Sequence, residues 1–200
     1  MMGIRAIYIK AFEENCLKLL VQAYEVAKSE RKYQADWDEN DFSELLSFYV
    51  NESKLSLKKG ITCFTEKKLF PQNKTLEKGF ANSLSRVDFL YTKIWNSQER
   101  FELHMEAKRL KESDSALKRA YISDGMDRFV TGKYPFGIML GYLLEGQISA
   151  TVKGINTLII KDKRETEILH LEHHDIVNPF YESYHSENRI LKHIILDFTL

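Results

Sequence analysis

Hydrophobic and polar residues alternate strictly over residues 101–108, whose sequence is FELHMEAK. Successive side chains of a strand point to opposite faces of its sheet, so this alternation predicts a half-buried strand. Its polar face carries Glu102, His104, Glu106 and Lys108. The preceding residues, 84–95, are mostly apolar and predict a neighbouring strand with one acid, Asp88. The polar residues 96–100 predict the turn that joins the two strands.

Helical periodicity dominates the earlier part of the chain. Apolar residues recur every three or four positions over residues 11–29 and again over 42–50, which predicts two amphipathic helices. Asp41 or Ser43 is the expected cap of the second helix. The other elements predicted here are a short strand at 4–9, an acidic linker at 33–40, a turn at 54–60 and a strand at 61–70.

Helices and strands alternate after the two paired strands. Residues 116–134 predict helix with a break at 123–125. The run 136–144 (FGIMLGYLL) is almost uniformly apolar, which predicts a strand that is buried on both faces. Its glycines, Gly137 and Gly141, predict the close approach of another backbone. The remaining predictions are a helix at 146–160 and strands at 167–173, 181–185 and 190–200.

This order of elements indicates an α/β protein in which a mixed central sheet is flanked by helices. A chain of 200 residues with 44% hydrophobic residues suits one domain with one sizeable core, so we expect a single domain over residues 1–200. The sequence has no inter-domain linker, internal repeat or low-complexity tract.

Charge and cysteine content limit the functional classes. Basic and acidic residues number 29 each, so the overall charge does not call for a polyanionic partner, and any DNA-binding surface must concentrate its basic residues locally. The two cysteines, Cys16 and Cys63, are too few for a disulfide framework. Without a signal-peptide core or a long apolar run, we expect a cytoplasmic protein with no membrane association.

The two paired strands carry the candidate chemistry. Asp88 and Glu106 on neighbouring strands can hold Mg²⁺ from two directions, because this cation prefers oxygen ligands and keeps several waters. The carbonyl of Ala107 is a further possible ligand, and the ammonium of Lys108 can orient an attacking water or stabilise developing negative charge. The alternative is an ordinary amphipathic strand with a charged outer face. A lone acid in an apolar strand favours the first interpretation, because burial of an unpaired carboxylate is costly.

An acid on one strand followed by Glu-x-Lys on the next resembles the PD-(D/E)xK nucleases. The predicted order of helix, three strands, helix and strand also resembles the αβββαβ core of that restriction-endonuclease-like superfamily, here with extra C-terminal strands. The stretches 124–134, 185–189 and 193–198 look like parts of small nucleases associated with bacterial anti-phage defence. The similarity extends from Asp41 to Phe198, and Val87 stands where the family motif has proline.

The resemblance implies a nuclease that needs Mg²⁺ or Mn²⁺ and hydrolyses DNA, with RNA not excluded. Asp88, Glu106 and Lys108 take the catalytic positions. In the family the helix before the sheet often adds another acid to the metal site; Glu39, Glu44 and Glu52 are the candidates, and Glu44 is the one we favour. The resemblance further implies phosphate contacts from Arg109, Lys111, Arg128 and Lys133.

A defence or restriction system implies a co-encoded sensor or ATPase as an activating partner, and a homodimer would allow both DNA strands to be cut. The alternative function is that of a catalytically inactive nuclease-fold subunit, which binds nucleic acid or assembles with other proteins. The balanced charge favours this alternative modestly.

Overall fold

Seven strands of the described residues form one mixed sheet. The computed structural model describes residues 4–70, 77–95, 99–135 and 137–199. The strands are β1 Thr62–Lys68, β2 Arg86–Ile94, β3 Arg100–Lys111, β4 Ile138–Glu145, β5 His170–Glu172, β6 Phe180–His185 and β7 Arg189–Asp197. Their order across the sheet is β1-β2-β3-β4-β7-β6-β5. Of the expected turn at 96–100, residues 96–98 lie outside the described part of the chain.

The centre of the sheet is parallel and its margins are antiparallel. Strand β4 pairs in parallel with β3 on one side and with β7 on the other. The pairs β1–β2, β2–β3, β5–β6 and β6–β7 are antiparallel. Strand β4 is buried from Ile138 to Leu144, as expected for a central strand with both faces covered.

Helices cover both faces of this sheet, so the predicted α/β class with a flanked mixed sheet is confirmed. The helices are α1 Ile4–Glu30, α2 Glu39–Glu52, α3 Lys54–Lys59, α4 Ser115–Ala120, α5 Asp127–Val130 and α6 Ile148–Lys161. The long helices α1 and α2 each bury one apolar side in a core on one face of the sheet, while Ile4, Ile7 and Phe48 stay exposed. Residues of α5 and α6 and of the π-helical turn Tyr121–Met126 form a second core on the other face.

The start of α2 is determined by a capping box. The carboxylate of Asp38 accepts hydrogen bonds from the backbone N–H groups of Asn40 and Asp41, and Asp41 returns a carboxylate to the N–H of Asp38. The helix therefore begins at Glu39, two residues before the earlier of the two expected caps, Asp41 and Ser43. This difference matters because it makes Glu39 the first residue of a helix instead of part of a linker.

Three local predictions were wrong. Residues 4–9 belong to α1, since a helix extends by its own hydrogen bonds while a strand needs a neighbour. The expected turn at 54–60 is the short helix α3, Lys54–Lys59, capped by the Ser53 hydroxyl at its start and ended by Gly60. The expected strand at 167–173 is reduced to β5, because Glu165–Glu167 is a 3₁₀ turn.

The glycines of the buried run differ in what approaches them. A Cβ built on Gly137 would lie 2.1 Å from the backbone oxygen of His104, so the predicted close backbone approach is confirmed there. A Cβ on Gly141 would instead meet the side chains of Leu110 and Ile195, so the predicted approach of another backbone was wrong at this position. Among the described helices, none is both long and apolar enough to cross a membrane.

Candidate active site

The pairing of β2 with β3 brings together the three residues at the centre of the sequence prediction. Phe89 pairs with Met105, which sets Asp88 beside the part of β3 that carries Glu106 and Ala107. The Ala107 N–H donates to Asp88 Oδ2 at 2.6 Å. The Lys108 ammonium lies 3.0 Å from Glu106 Oε1 and 3.9 Å from Asp88 Oδ2. Two carboxylates and one ammonium therefore share one small volume.

A third carboxylate reaches this volume from α2. Glu39 Oε1 accepts a hydrogen bond from Lys108 Nζ at 3.3 Å, and its Oε2 accepts one from the backbone N–H of Arg109, also at 3.3 Å. Glu39 is also close enough to Asp88 to contribute to the raised pKa of that carboxyl. The helical acid at this site is thus the first residue of α2.

Glu44, the acid favoured from the sequence, lies elsewhere. Its side chain is exposed and accepts a hydrogen bond from the Thr65 hydroxyl on β1. Among the described residues, no ion pair connects Glu44 with Lys108, whose carboxylate partners are Glu39, Asp88 and Glu106. Five residues of a helix turn the side-chain direction by about 140°, so Glu39 and Glu44 cannot face the same site. The contacts therefore support Glu39 in place of Glu44.

Burial dominates the acidity of both acids of the paired strands. Glu106 is fully buried, and Asp88 keeps 12% of its side chain exposed. Glu106 has no exposed surface, and its burial, together with the charge of Asp88, raises its pKa to about 7 against the opposing effect of Lys108 and Arg128. Burial also raises the pKa of Asp88, and Glu39 adds to that effect, while Lys108 and the Ala107 N–H oppose it. Burial thus makes the ionised form of each carboxyl group more costly, and nearby cations offset that cost.

Lys108 remains an ammonium at neutral pH. Its own burial lowers the pKa, but the carboxylates of Glu106, Asp88 and Glu39 outweigh burial and raise the pKa above the ordinary lysine value. The ammonium also donates to the carbonyl of Ala107 at 2.7 Å. A lysine held in this way supplies positive charge and hydrogen-bond donors, and it is not a base.

Arg128 also contacts the acids, although the sequence suggested a phosphate contact for it. Its Nη1 lies 2.5 Å from Glu106 Oε1 and donates at 2.8 Å to the hydroxyl of Tyr134. The Tyr134 hydroxyl in turn donates to the carbonyl of Arg86 on β2. Arg128 therefore ties α5 to the end of the paired strands through a buried carboxylate.

The other three expected phosphate-binding residues are spread around the site. Arg109 is half-buried and donates to the carbonyl of Trp37 at 3.1 Å, with Glu39 also nearby. Lys111 ends β3 and is partly exposed. Lys133 is exposed, and its Nζ lies 5.8 Å from the centre of the Tyr134 ring. Lys111 and Lys133 are thus better placed than Arg109 to meet an external phosphate.

The donor atoms suit a magnesium ion without forming a complete cage. Within the described residues, no three His, Cys, Asp or Glu side chains are arranged to hold a metal ion by themselves. Glu106 Oε2, however, is buried and has no hydrogen-bond partner, so one carboxylate oxygen lacks compensation. Mg²⁺ commonly takes one or two carboxylates and completes its shell with waters and substrate oxygens. Asp88, Glu106 and the Ala107 carbonyl fit that requirement.

Comparison with known proteins assigns no family. No protein-family model, no curated protein and no solved structure matches the chain. The functional argument therefore depends on the geometry of the site and on the sequence motifs that form it.

Proposed function

We propose that the chain is a Mg²⁺-dependent nuclease of the PD-(D/E)xK type that hydrolyses phosphodiester bonds of DNA. The observation that carries this proposal is the convergence of one buried carboxylate, one partly buried carboxylate and a lysine. Asp88 and Glu106 lie on adjacent antiparallel strands, and the Lys108 ammonium is within 4 Å of both. Buried acids with raised pKa values beside a fixed cation are typical of catalytic sites.

The order of elements supports the proposal. A helix (α2), three antiparallel strands (β1 to β3), a helical segment (α4 to α5) and a parallel strand (β4) follow one another, as the αβββαβ core requires. The remaining strands, β5 to β7, extend the sheet at its other margin. The proposed catalytic residues then lie on the second and third strands, where the family motif requires them.

Asp88, Glu106 and the carbonyl of Ala107 would hold the metal ion. When bound, Mg²⁺ or Mn²⁺ supplies positive charge at the scissile phosphate and makes water more nucleophilic near neutral pH. Asp88 is oriented for this role by the Ala107 N–H, which occupies Oδ2 at 2.6 Å. Glu106 has one buried oxygen, Oε2, without a partner.

Lys108 and Glu39 have two further roles in the proposed site. The Lys108 ammonium donates hydrogen bonds to Glu39, Glu106 and the Ala107 carbonyl, and in the proposed reaction its charge stabilises negative charge that develops on the phosphate. Glu39 limits the orientations of that ammonium, because its Oε1 accepts a hydrogen bond from Lys108 Nζ at 3.3 Å. This arrangement gives the lysine a fixed direction before substrate arrives.

The wider setting follows from the resemblance of the sequence to nucleases of bacterial anti-phage defence. In such a setting the protein acts in the cytoplasm, on DNA or on RNA, and a co-encoded sensor or ATPase activates it. A homodimer would place two sites on one duplex. Lys111, Lys133 and Arg109 supply positive charge around the site for the phosphate backbone.

One observation favours a second function, that of a nuclease-fold subunit without catalysis. Glu106 Oε1 already has two cationic partners, Lys108 and Arg128, so the carboxylate is partly neutralised without a metal ion. Calorimetry with Mn²⁺ separates the two functions, because a nuclease must bind the ion through Asp88 and Glu106. Binding that disappears in Asp88→Asn supports the nuclease, whereas the absence of any binding supports the subunit.

The proposal itself is tested by nucleic-acid cleavage in the presence of Mg²⁺ or Mn²⁺. The wild-type protein should cleave, and Lys108→Met and Asp88→Asn should not.

A further inference from the structure

The two carboxylate oxygens of Glu106 have different contacts. Its Oε1 contacts two cations, Lys108 Nζ at 3.0 Å and Arg128 Nη1 at 2.5 Å. Its Oε2 is buried and has no hydrogen-bond partner. Both cations thus crowd one oxygen of a carboxylate that has no exposed surface. A divalent ion that binds Glu106 must share this carboxylate with both of them.

When Glu106 is ionised, the charges around it are balanced in the absence of a metal ion. Three carboxylates, those of Asp88, Glu106 and Glu39, face three cationic side chains. The cationic side chains are Lys108, Arg109 and Arg128. A divalent cation added to this balanced set leaves an excess of positive charge in a buried place, which is costly. Binding becomes favourable when one of the cationic groups moves away or when an anion arrives.

Arg128 is the cation that can move away. Lys108 has 9% of its side chain exposed and is held by Glu39, Glu106 and the Ala107 carbonyl. The guanidinium of Arg109 donates a hydrogen bond to the carbonyl of Trp37, and its ion pair is with Glu39 and not with Glu106. Arg128 has 29% of its side chain exposed and stands on the four-residue helix α5. Within the described part of the chain, its one other side-chain hydrogen bond goes to Tyr134. Rotation of this one side chain brings its guanidinium to solvent.

We propose that Arg128 is a positioning residue that occupies Glu106 until a divalent cation displaces it. This inference rests on the proposed metal-dependent nuclease function and specifies how its site is filled. The Arg128 guanidinium would leave Glu106 Oε1 when a divalent cation binds this carboxylate, and it would then be available to a phosphate group of the substrate. Metal ion and nucleic acid then favour the same rearrangement, so each increases the affinity for the other.

The test is a calorimetric titration of the full chain with MnCl₂ in the absence of nucleic acid. Arg128→Gln removes the competing charge, and it should lower the Kd for Mn²⁺ at least about tenfold. Arg128→Lys keeps a cation near Glu106 and should stay closer to wild type. Arg119→Gln is the matched control, because Arg119 is a similarly exposed arginine that pairs with Asp162 away from the site; its Kd should equal that of wild type.

A second measurement makes the test independent of how well the variants fold. Nuclear magnetic resonance of arginine Nε–H groups in the wild-type protein, with Arg128→Lys for assignment, reports on the guanidinium directly. Saturation with Mg²⁺ should move the Arg128 signal to that of a solvent-exposed arginine.

Two results would overturn the displacement while leaving the nuclease proposal intact. The first is Mn²⁺ binding that depends on Asp88 and is at least as tight in the wild-type protein as in Arg128→Gln. The second is an Arg128 signal unchanged by saturating Mg²⁺. The nuclease proposal fails as well if neither the wild-type protein nor Arg128→Gln binds Mn²⁺.

Discussion

The carboxylate of Glu39 lies 3.3 Å from the ammonium of Lys108, although 69 residues separate them in the chain. This contact links the first residue of α2 to the strand that carries the candidate catalytic residues. It also identifies which acid of the helix belongs to the site, because Glu44 bonds to Thr65 instead.

Replacing Glu39 should impair catalysis more than replacing Glu44. Glu39→Gln removes a charge that, after those of Glu106 and Asp88, helps to raise the pKa of Lys108, and it weakens a contact that orients the ammonium. We therefore expect cleavage to fall about tenfold. Glu44→Gln is the matched control on the same helix and should stay within about twofold of wild type. The measurement is the rate of metal-dependent DNA cleavage by the purified variants. A larger loss in Glu44→Gln than in Glu39→Gln would contradict the assignment.

Binding of the metal ion should depend on pH through Glu106. Burial raises the pKa of this carboxyl to about 7, and a proton must leave before a cation can use the group. Mn²⁺ affinity should therefore be close to its maximum above pH 7 and fall about tenfold for each pH unit below it. Calorimetry between pH 5.5 and 8 measures this dependence. An affinity that is constant over that range would show that Glu106 does not take part.

Protonation of His193 should destabilise the fold in mild acid. His193 is fully buried between the Tyr121 and Ser183 hydroxyls, and burial lowers its pKa from 6.5 to about 3. The unfolded chain therefore binds a proton that the folded chain does not, so stability is full above pH 6.5 and is lost as the pH falls toward 3. The free energy of unfolding should decrease by about 1 kcal/mol per pH unit below 6.5.

Urea denaturation between pH 5 and 7 measures this loss, and two variants attribute it. His193→Gln should flatten the pH dependence, although it costs stability at pH 7. His173→Gln is the control, because the His173 side chain is 91% exposed, and its pH dependence should match that of wild type. The same slope in wild type and His193→Gln would refute the assignment to His193.

Gly137 should tolerate no side chain. A Cβ at this position would lie 2.1 Å from the His104 carbonyl oxygen and 3.0 Å from the Phe129 ring. Gly137→Ala therefore requires β4 to move away from β3, and we expect a loss of about 2–3 kcal/mol in the free energy of unfolding. Thermal unfolding followed by circular dichroism checks this, with Gly132→Ala as a comparison in open space at positive φ. Equal stability of Gly137→Ala and wild type would contradict the close approach.

Local patterns in the sequence were sufficient to group the central residues. The alternation over 101–108 is a property of each strand by itself, and it puts Glu106 and Lys108 on one face whatever the strand pairs with. The neighbouring strand brought Asp88 to the same place, because consecutive strands with a short connection commonly pair. The buried strand β4 was equally predictable from its uniform hydrophobicity.

The contacts of Glu39 and Arg128 could not be predicted in the same way. Glu39 lies in the predicted linker, because the sequence pattern does not distinguish Asp38 as the cap of α2. The side chain of a linker residue has no predictable direction. Arg128 meets Glu106 because the chain returns to the sheet through the π-helical turn Tyr121–Met126. No local period encodes that return, which depends on packing against the second core.

Cleavage of nucleic acid by matched variants tests the central claim most directly. Plasmid, linear and single-stranded DNA and RNA are incubated with Mg²⁺ or Mn²⁺, alone and with any co-encoded protein. The wild-type protein should cleave at least one DNA substrate only when the metal ion is present. Lys108→Met and Asp88→Asn should lower the rate by about two to three orders of magnitude while circular dichroism stays unchanged. Cleavage by both folded variants at the wild-type rate would contradict the account.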